Sequence, residues 1–149
     1  MTEITFHFNT PDKVAYACRL LRKATASGAK SVVVTPAHLV QPLDLALWTF
    51  SELAFLPHCL ATDAPALLSV SPVVLVEPEA LKGTELPHHD VMIHLGRELP
   101  AGFERFERLI ELVDVDEQDR QQARLRWKHY ADRGYTLNRH DVAAQAATQ

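Results

Sequence analysis

Cysteine is nearly absent: Cys18 and Cys59 are the only two in 149 residues. So few thiols make no disulfide framework. The opening MTEITFHFN alternates and is acidic, where a secretory leader is basic and then apolar, so we expect a reducing cytoplasm. Glycine is also scarce, at five, and none falls in the turn NTPDK that follows the first alternating segment. Gly-x-Gly-x-x-Gly and Gly-Lys-Ser/Thr sequences are missing there, so no backbone cradle for phosphate is encoded. No apolar run approaches the roughly 20 residues that span a bilayer. No nucleophile elbow, no His-Glu-x-x-His and no carboxylate pair in an apolar frame is visible, so the sequence argues for no catalytic activity and no cofactor. Eight histidines are present, but without His-x3-His or Cys-x2-Cys spacing. His88 and His89 are neighbours on a loop and diverge, and His58 and His94 read as hydrogen-bonded packing residues, so no metal site is expected.

What remains is an ordinary globular composition, 47% hydrophobic and 23% charged, of a length that folds as one domain. Glu3 to Phe8 alternates as a strand with Ile4, Phe6 and Phe8 on one face. Thr10 and Pro11 look like the N-cap and first residue of a helix through about Thr25. Its buried stripe holds Val14, Ala17, Cys18, Leu20 and Leu21, which makes Cys18 an inert core thiol. Ser31 to Thr35 (SVVVT) is a β-branched run of the kind buried on both faces. This β-α-β order predicts an α/β fold with a parallel sheet. A helix beginning near Pro42 comes next, with Leu43, Leu47 and Phe50 facing the core. Trp48 and Phe55 lie off that stripe, beside a Pro57-His58 turn, and suit either core packing or a protein-protein anchor. Strands are expected at Pro72 to Val76, Asp90 to Leu95 and Arg108 to Val113. We expect one domain over 1–138 and a fraying tail over 139–149.

One stretch concentrates charge of one sign. Asp116 to Gly134 reads as a helix with acids in its first turn and Arg133-Gly134 at its end. Past the acidic cap, Arg120, Arg124, Arg126, Lys128 and Arg133 face only Asp132, a local charge of +4 in a chain of net −4. Arg120, Arg124 and Lys128 share a ridge beside an apolar stripe of Ala123, Trp127, Tyr130 and Ala131. Repulsion along that ridge suggests an offsetting partner outside the helix. An acidic body with one basic helix suits a short anionic peptide, or a small and weak nucleic-acid contact, better than a broad nucleic-acid face.

LDLALW at 43–48 with FLPH at 55–58, DVMIHL at 90–95, and the pattern AR-R-K-Y---GY-LN from Ala123 to Asn138 together resemble the chi subunit of the bacterial DNA polymerase III holoenzyme. With TFHF at 5–8, the resemblance covers nearly the whole chain, and its C-terminal pattern is the most specific part. It implies a Rossmann-like three-layer α/β fold with a mostly parallel central sheet and no working nucleotide site. It also implies a non-catalytic adaptor for DNA replication. One surface would hold the psi subunit, and through it the clamp loader, and a repair helicase would compete there. Another would capture the acidic, Phe-ended C-terminal tail of the single-stranded-DNA-binding protein.

Carried over by position, the tail-binding residues would be Val113, Arg120, Arg124, Trp127 and Lys128, and the psi-facing residues Trp48, Phe55 and Pro57. Arg120 stands where the family often has Lys, Trp127 where it often has Tyr, and Leu125 where relatives often carry an acid. The implied location is cytoplasmic, at the nucleoid through the replication machinery, with DNA touched only indirectly or weakly. Two alternatives stay open on the residues alone. One is direct single-stranded nucleic-acid binding by the same helix, with Trp127 stacking on a base; the other is a nucleotide-using enzyme on a Rossmann-like sheet.

Overall fold

A computed structural model describes residues 2–49, 58–63, 71–81, 86 and 88–143. Among the described residues seven strands form one open sheet: β1 (Glu3–Thr10), β2 (Ser31–Val34), β3 (Cys59–Leu60), β4 (Val73–Val76), β5 (Val91–His94), β6 (Arg108–Asp114) and β7 (Thr136–Asp141). Their order is β3-β4-β2-β5-β6-β1-β7 and every pairing is parallel, so the expected mostly parallel sheet is parallel throughout. Three helices are described: α1 (Lys13–Ala26), α2 (Ala37–Thr49) and α3 (Glu117–Asp132).

Side chains alternate across a strand, so neighbouring valines serve opposite layers. Val33 points to a core made with Ala17, Cys18 and Leu21 of α1 and Leu43 and Leu47 of α2. Val32 and Val34 point to the other face, where Ala123 and Tyr130 of α3 close a second core with Ile4, Phe6 and Met92. The result is the expected three-layer α/β arrangement, with α1 and α2 on one side and α3 on the other.

Helix starts depart from the sequence reading twice. Asp12, not Thr10, caps α1: its carboxylate accepts from Ala15 N at 3.1 Å. Thr10 is unavailable because it ends β1, and its hydroxyl donates to His7 O at 3.1 Å. Helix α2 begins at Ala37, which leaves Pro42 inside it. The interior proline costs a backbone hydrogen bond, but its ring lies on the exposed side while Leu39, Leu43, Ala46 and Leu47 pack inward. Packing outweighs the proline. Phe50 lies outside the described residues.

The expected helix over 116–134 is present. Asp116 caps it by accepting from Asp119 N at 3.3 Å, and Gly134 (φ +80°) turns the chain in the left-handed region that glycine tolerates. The chain beyond it does not fray at 139. Arg139, His140 and Asp141 pair with Phe6, His7 and Phe8 as the end of edge strand β7. Asn9, itself at φ 58°, donates from its side chain to Asp141 Oδ1 at 3.1 Å and ties that strand to β1.

Candidate interaction site

Strands β1, β6 and β7 run under α3, and at their carboxyl ends a hollow of about 270 Å³ opens between helix and sheet. That lies below the ~300–1,000 Å³ of pockets for drug-sized ligands, a size for one side chain. Its floor is Phe6 and Phe8 of β1 with Val113 of β6, and its helical wall is Ala123 and Trp127. Trp127 meets Phe6 edge-on, with centroids 5.2 Å apart. This contact fixes the indole against the sheet, so that floor and helical wall are both apolar.

Cations rim the hollow. Arg120 and Arg124 come from successive turns of α3, with side chains 45% and 63% exposed. Both reach Glu117, Arg124 at 3.2 Å and Arg120 at 4.0 Å. Glu117 therefore supplies part of the offset that the charge pattern demanded, from within the helix itself. Pairs this exposed are worth about 0–1 kcal/mol each and do not lock the guanidinium groups away. Lys128 is exposed but does not line the hollow. From the opposite wall comes Arg139 of β7, its guanidinium 5.9 Å from the Trp127 ring centre and 5.7 Å from that of Phe8. Of the five positions named from the resemblance, Val113, Arg120, Arg124 and Trp127 meet here. Sequence reasoning missed Arg139 because it placed that residue in a frayed tail; the alternating Phe6 and Phe8 were its visible partners.

Two residues of the basic helix take other roles than expected. Ala131 is exposed, not part of the apolar stripe. Arg126 is 3% exposed and turned into the core, where Nε donates to Glu111 Oε2 at 3.1 Å and Nη1 to Arg97 O at 2.6 Å. Glu111 also accepts from Tyr130 OH at 2.7 Å and is hydrogen-bonded to His94. Burial alone would push the Glu111 carboxyl up, but His94 and Arg126 beside it, with the bonds from His94 and Tyr130, hold it below its ordinary value of 4.5. Burial and Glu111 drive the Tyr130 phenol upward. His94 thus packs and hydrogen-bonds as expected, and Gly96 lies close against it, since a Cβ there would stand a tight 3.1 Å from Nε2.

A larger cleft, about 670 Å³, lies at the carboxyl ends of the strands, where open α/β sheets usually bind ligands. Its chemistry is wrong for phosphate. Asp12, Glu79, Glu98, Asp114 and Asp119 line it against Lys13 and Arg97, and Asp119 takes the Lys13 ammonium at 2.9 Å and Arg97 at 3.2 Å. Cys18 is fully buried and its thiol is pushed up to about 11 by burial and then by Asp12, so it stays protonated near neutrality.

On α2, Trp48 is 55% exposed and Leu45 64%, one turn apart, so Trp48 is not a core residue. The indole meets His58 edge-on at 5.6 Å, and His58 bonds Asp44 at 2.7 Å. Phe55 and Pro57 lie outside the described residues. His88 is turned inward to Ser71 O, whereas the His89 ring meets that of Phe106 at a tilt, with centroids 5.4 Å apart. Among the described residues no helix is long and apolar enough to cross a membrane.

The family model "DNA polymerase III chi subunit, HolC" matches residues 1–138. The DNA polymerase III subunit chi of Pseudomonas aeruginosa is 35% identical over 149 residues, covering 94% of this chain and 96% of that one. The subunit of the same name from Haemophilus influenzae is 29% identical over 131 residues, 85% of each chain. With a family match over nearly its whole length and a relative this similar, the chain belongs to the DNA polymerase III chi subunit family, a non-catalytic subunit of the replication enzyme.

Proposed function

We propose that the chain is the adaptor of the clamp-loader assembly, joining the psi subunit to the acidic, Phe-ended C-terminal tail of the single-stranded-DNA-binding protein. The observation that carries this reading is the meeting of Val113, Arg120, Arg124 and Trp127 around one apolar slot with a cationic rim. A tail of acids ending in Phe needs both features, a slot for the ring and cations for the carboxylates. Burying the Phe side chain contributes roughly 1.5–3 kcal/mol. Each exposed ion pair adds about 0–1 kcal/mol. Affinity is therefore modest, with the ring supplying much of the energy and the arginines the selectivity for carboxylates. Lys128, exposed on the next turn, extends the rim for acids further from the end.

The psi subunit would dock on α2 around Trp48, with Phe55 and Pro57 completing the patch, and a repair helicase would compete for that surface. Helices α2 and α3 belong to different layers, which supports a reading with the two surfaces on opposite faces of the sheet. Both partners can then be held at once.

Fluorescence-polarisation titration of a labelled Asp-rich peptide ending in Phe, alongside a single-stranded oligonucleotide at the same salt concentration, tests the reading. The peptide should bind in preference, and Arg124→Ala should weaken its binding several-fold. Preference for the oligonucleotide would replace the adaptor with a direct nucleic-acid binder. Phe55→Ala should weaken capture of psi and spare the peptide, whereas equal loss of both would make Phe55 a core residue.

A further inference from the structure

Three guanidinium groups line the α3–β7 hollow, and they are not equivalent. Arg120 and Arg124 share Glu117. Arg139 is paired with no carboxylate among the described residues. Its guanidinium lies near two ring faces, Phe8 at 5.7 Å and Trp127 at 5.9 Å, which steady it without neutralising it. A cation held in this way keeps its N–H groups available for a forked, two-bond grip on a carboxylate.

Its position is set by the sheet. Arg139 is in register with Phe6, and the Phe6 ring meets Trp127 5.2 Å away in the floor of the slot. The unneutralised cation is thus placed beside the aromatic slot, on the wall facing Arg120 and Arg124. A C-terminal Phe carries its ring and its free carboxylate on the same residue, so a ring in the slot brings that carboxylate to the slot's edge.

Resting on the adaptor reading, we infer that Arg139 is the anchor for the free C-terminal carboxylate of the peptide, and that Arg120 and Arg124 hold the acidic side chains preceding it. The peptide lies with its end against β7 and its acids along α3. Arg139 is accordingly the residue that distinguishes a chain end from an internal Asp-Phe sequence.

The test compares a short Asp-rich peptide ending in Phe with the same peptide amidated at its C-terminus, titrated by fluorescence polarisation against the full chain. For the unaltered protein, amidation should weaken binding about tenfold, the scale of one lost charge-assisted bond. Arg139→Gln keeps the stem and removes the charge, and should shrink that ratio to about twofold or less. Arg124→Gln should weaken both peptides and leave the ratio near tenfold. If Arg139→Gln disturbs the strand, as circular dichroism would show, Arg139→Lys provides the same reading: a point charge without the fork should give an intermediate ratio of about threefold. A full tenfold ratio in the Arg139 variants overturns the inference while leaving the adaptor reading intact. No binding of either peptide by the unaltered chain overturns both.

Discussion

Arg124 and Arg126 stand two residues apart on one helix and do opposite things. Arg126 is 3% exposed, bonded to a fully buried Glu111 that also holds His94 and Tyr130. The Arg124 side chain is 63% exposed, touches one equally open glutamate, and rims a hollow. Formal charge counts them alike. Only the 100° turn per residue separates the arginine that holds α3 to the sheet from the one that is free to meet a ligand. A basic helix on an acidic protein therefore carries two sets of arginines, a buried clamp at Arg126 and an exposed rim around the hollow, the proposed receptor.

The sharpest way to break this contrast is to remove each arginine in turn. Arg126→Ala leaves Glu111 buried without its ion-pair partner, a loss that typically costs about 3–5 kcal/mol. Urea unfolding should show a midpoint far below that of the unaltered chain; a shift too small to measure would mean the buried ion pair does not hold α3. Arg124→Ala should change stability by no more than about 0.5 kcal/mol. Its effect belongs on the peptide titration.

Acid should separate the regions again, through groups on the core side. Burial, then His140, then Arg108 lower His7 from 6.5 to about 4, so the folded chain keeps it neutral where the unfolded chain protonates it. Its stability contribution is full above pH 6.5 and is lost as pH falls towards 4. Glu111, also depressed, stabilises above 4.5 and loses that contribution as pH falls through its lower folded value. Melting temperature should thus decline below pH 6.5, and His7→Gln should flatten the first part of that decline. An unchanged slope in that variant would assign the decline to other groups.

Salt gives the smallest effect and the opposite pattern. Raising it from about 0.05 to about 0.5 M should weaken peptide binding several-fold, because the rim charges are exposed and screened. The dry cluster at Glu111 should keep the unfolding midpoint nearly constant. Equal sensitivity of both would erase the distinction.

How far the sequence revealed all this follows from the signals each part carries. Buried parallel strands such as SVVVT and PVVLV announce themselves by unbroken β-branched runs, and α3 by its acidic cap and terminal glycine. β7 sends no such signal: TLNRHD is a polar edge strand whose order depends on pairing with β1. Missing it meant missing Arg139. The α2 start was misplaced because proline prefers the first turn, a local preference that the packing of Leu43 and Leu47 overrides. Arg126 adds to the local charge of the helix in the sequence, and its neutralising partner Glu111 is fifteen residues away, on a strand whose inward face only the fold reveals. Trp48, left open between core and anchor, proves exposed.

The measurement closest to the central claim is a backbone amide chemical-shift map of the labelled protein titrated with an Asp-rich peptide ending in Phe. Shifts should concentrate at Phe6, Val113, Arg124, Trp127 and Arg139, with the Lys13 and Glu98 signals unmoved. Shifts centred on the acidic cleft around Lys13 and Glu98, or none at the α3–β7 hollow, would contradict it.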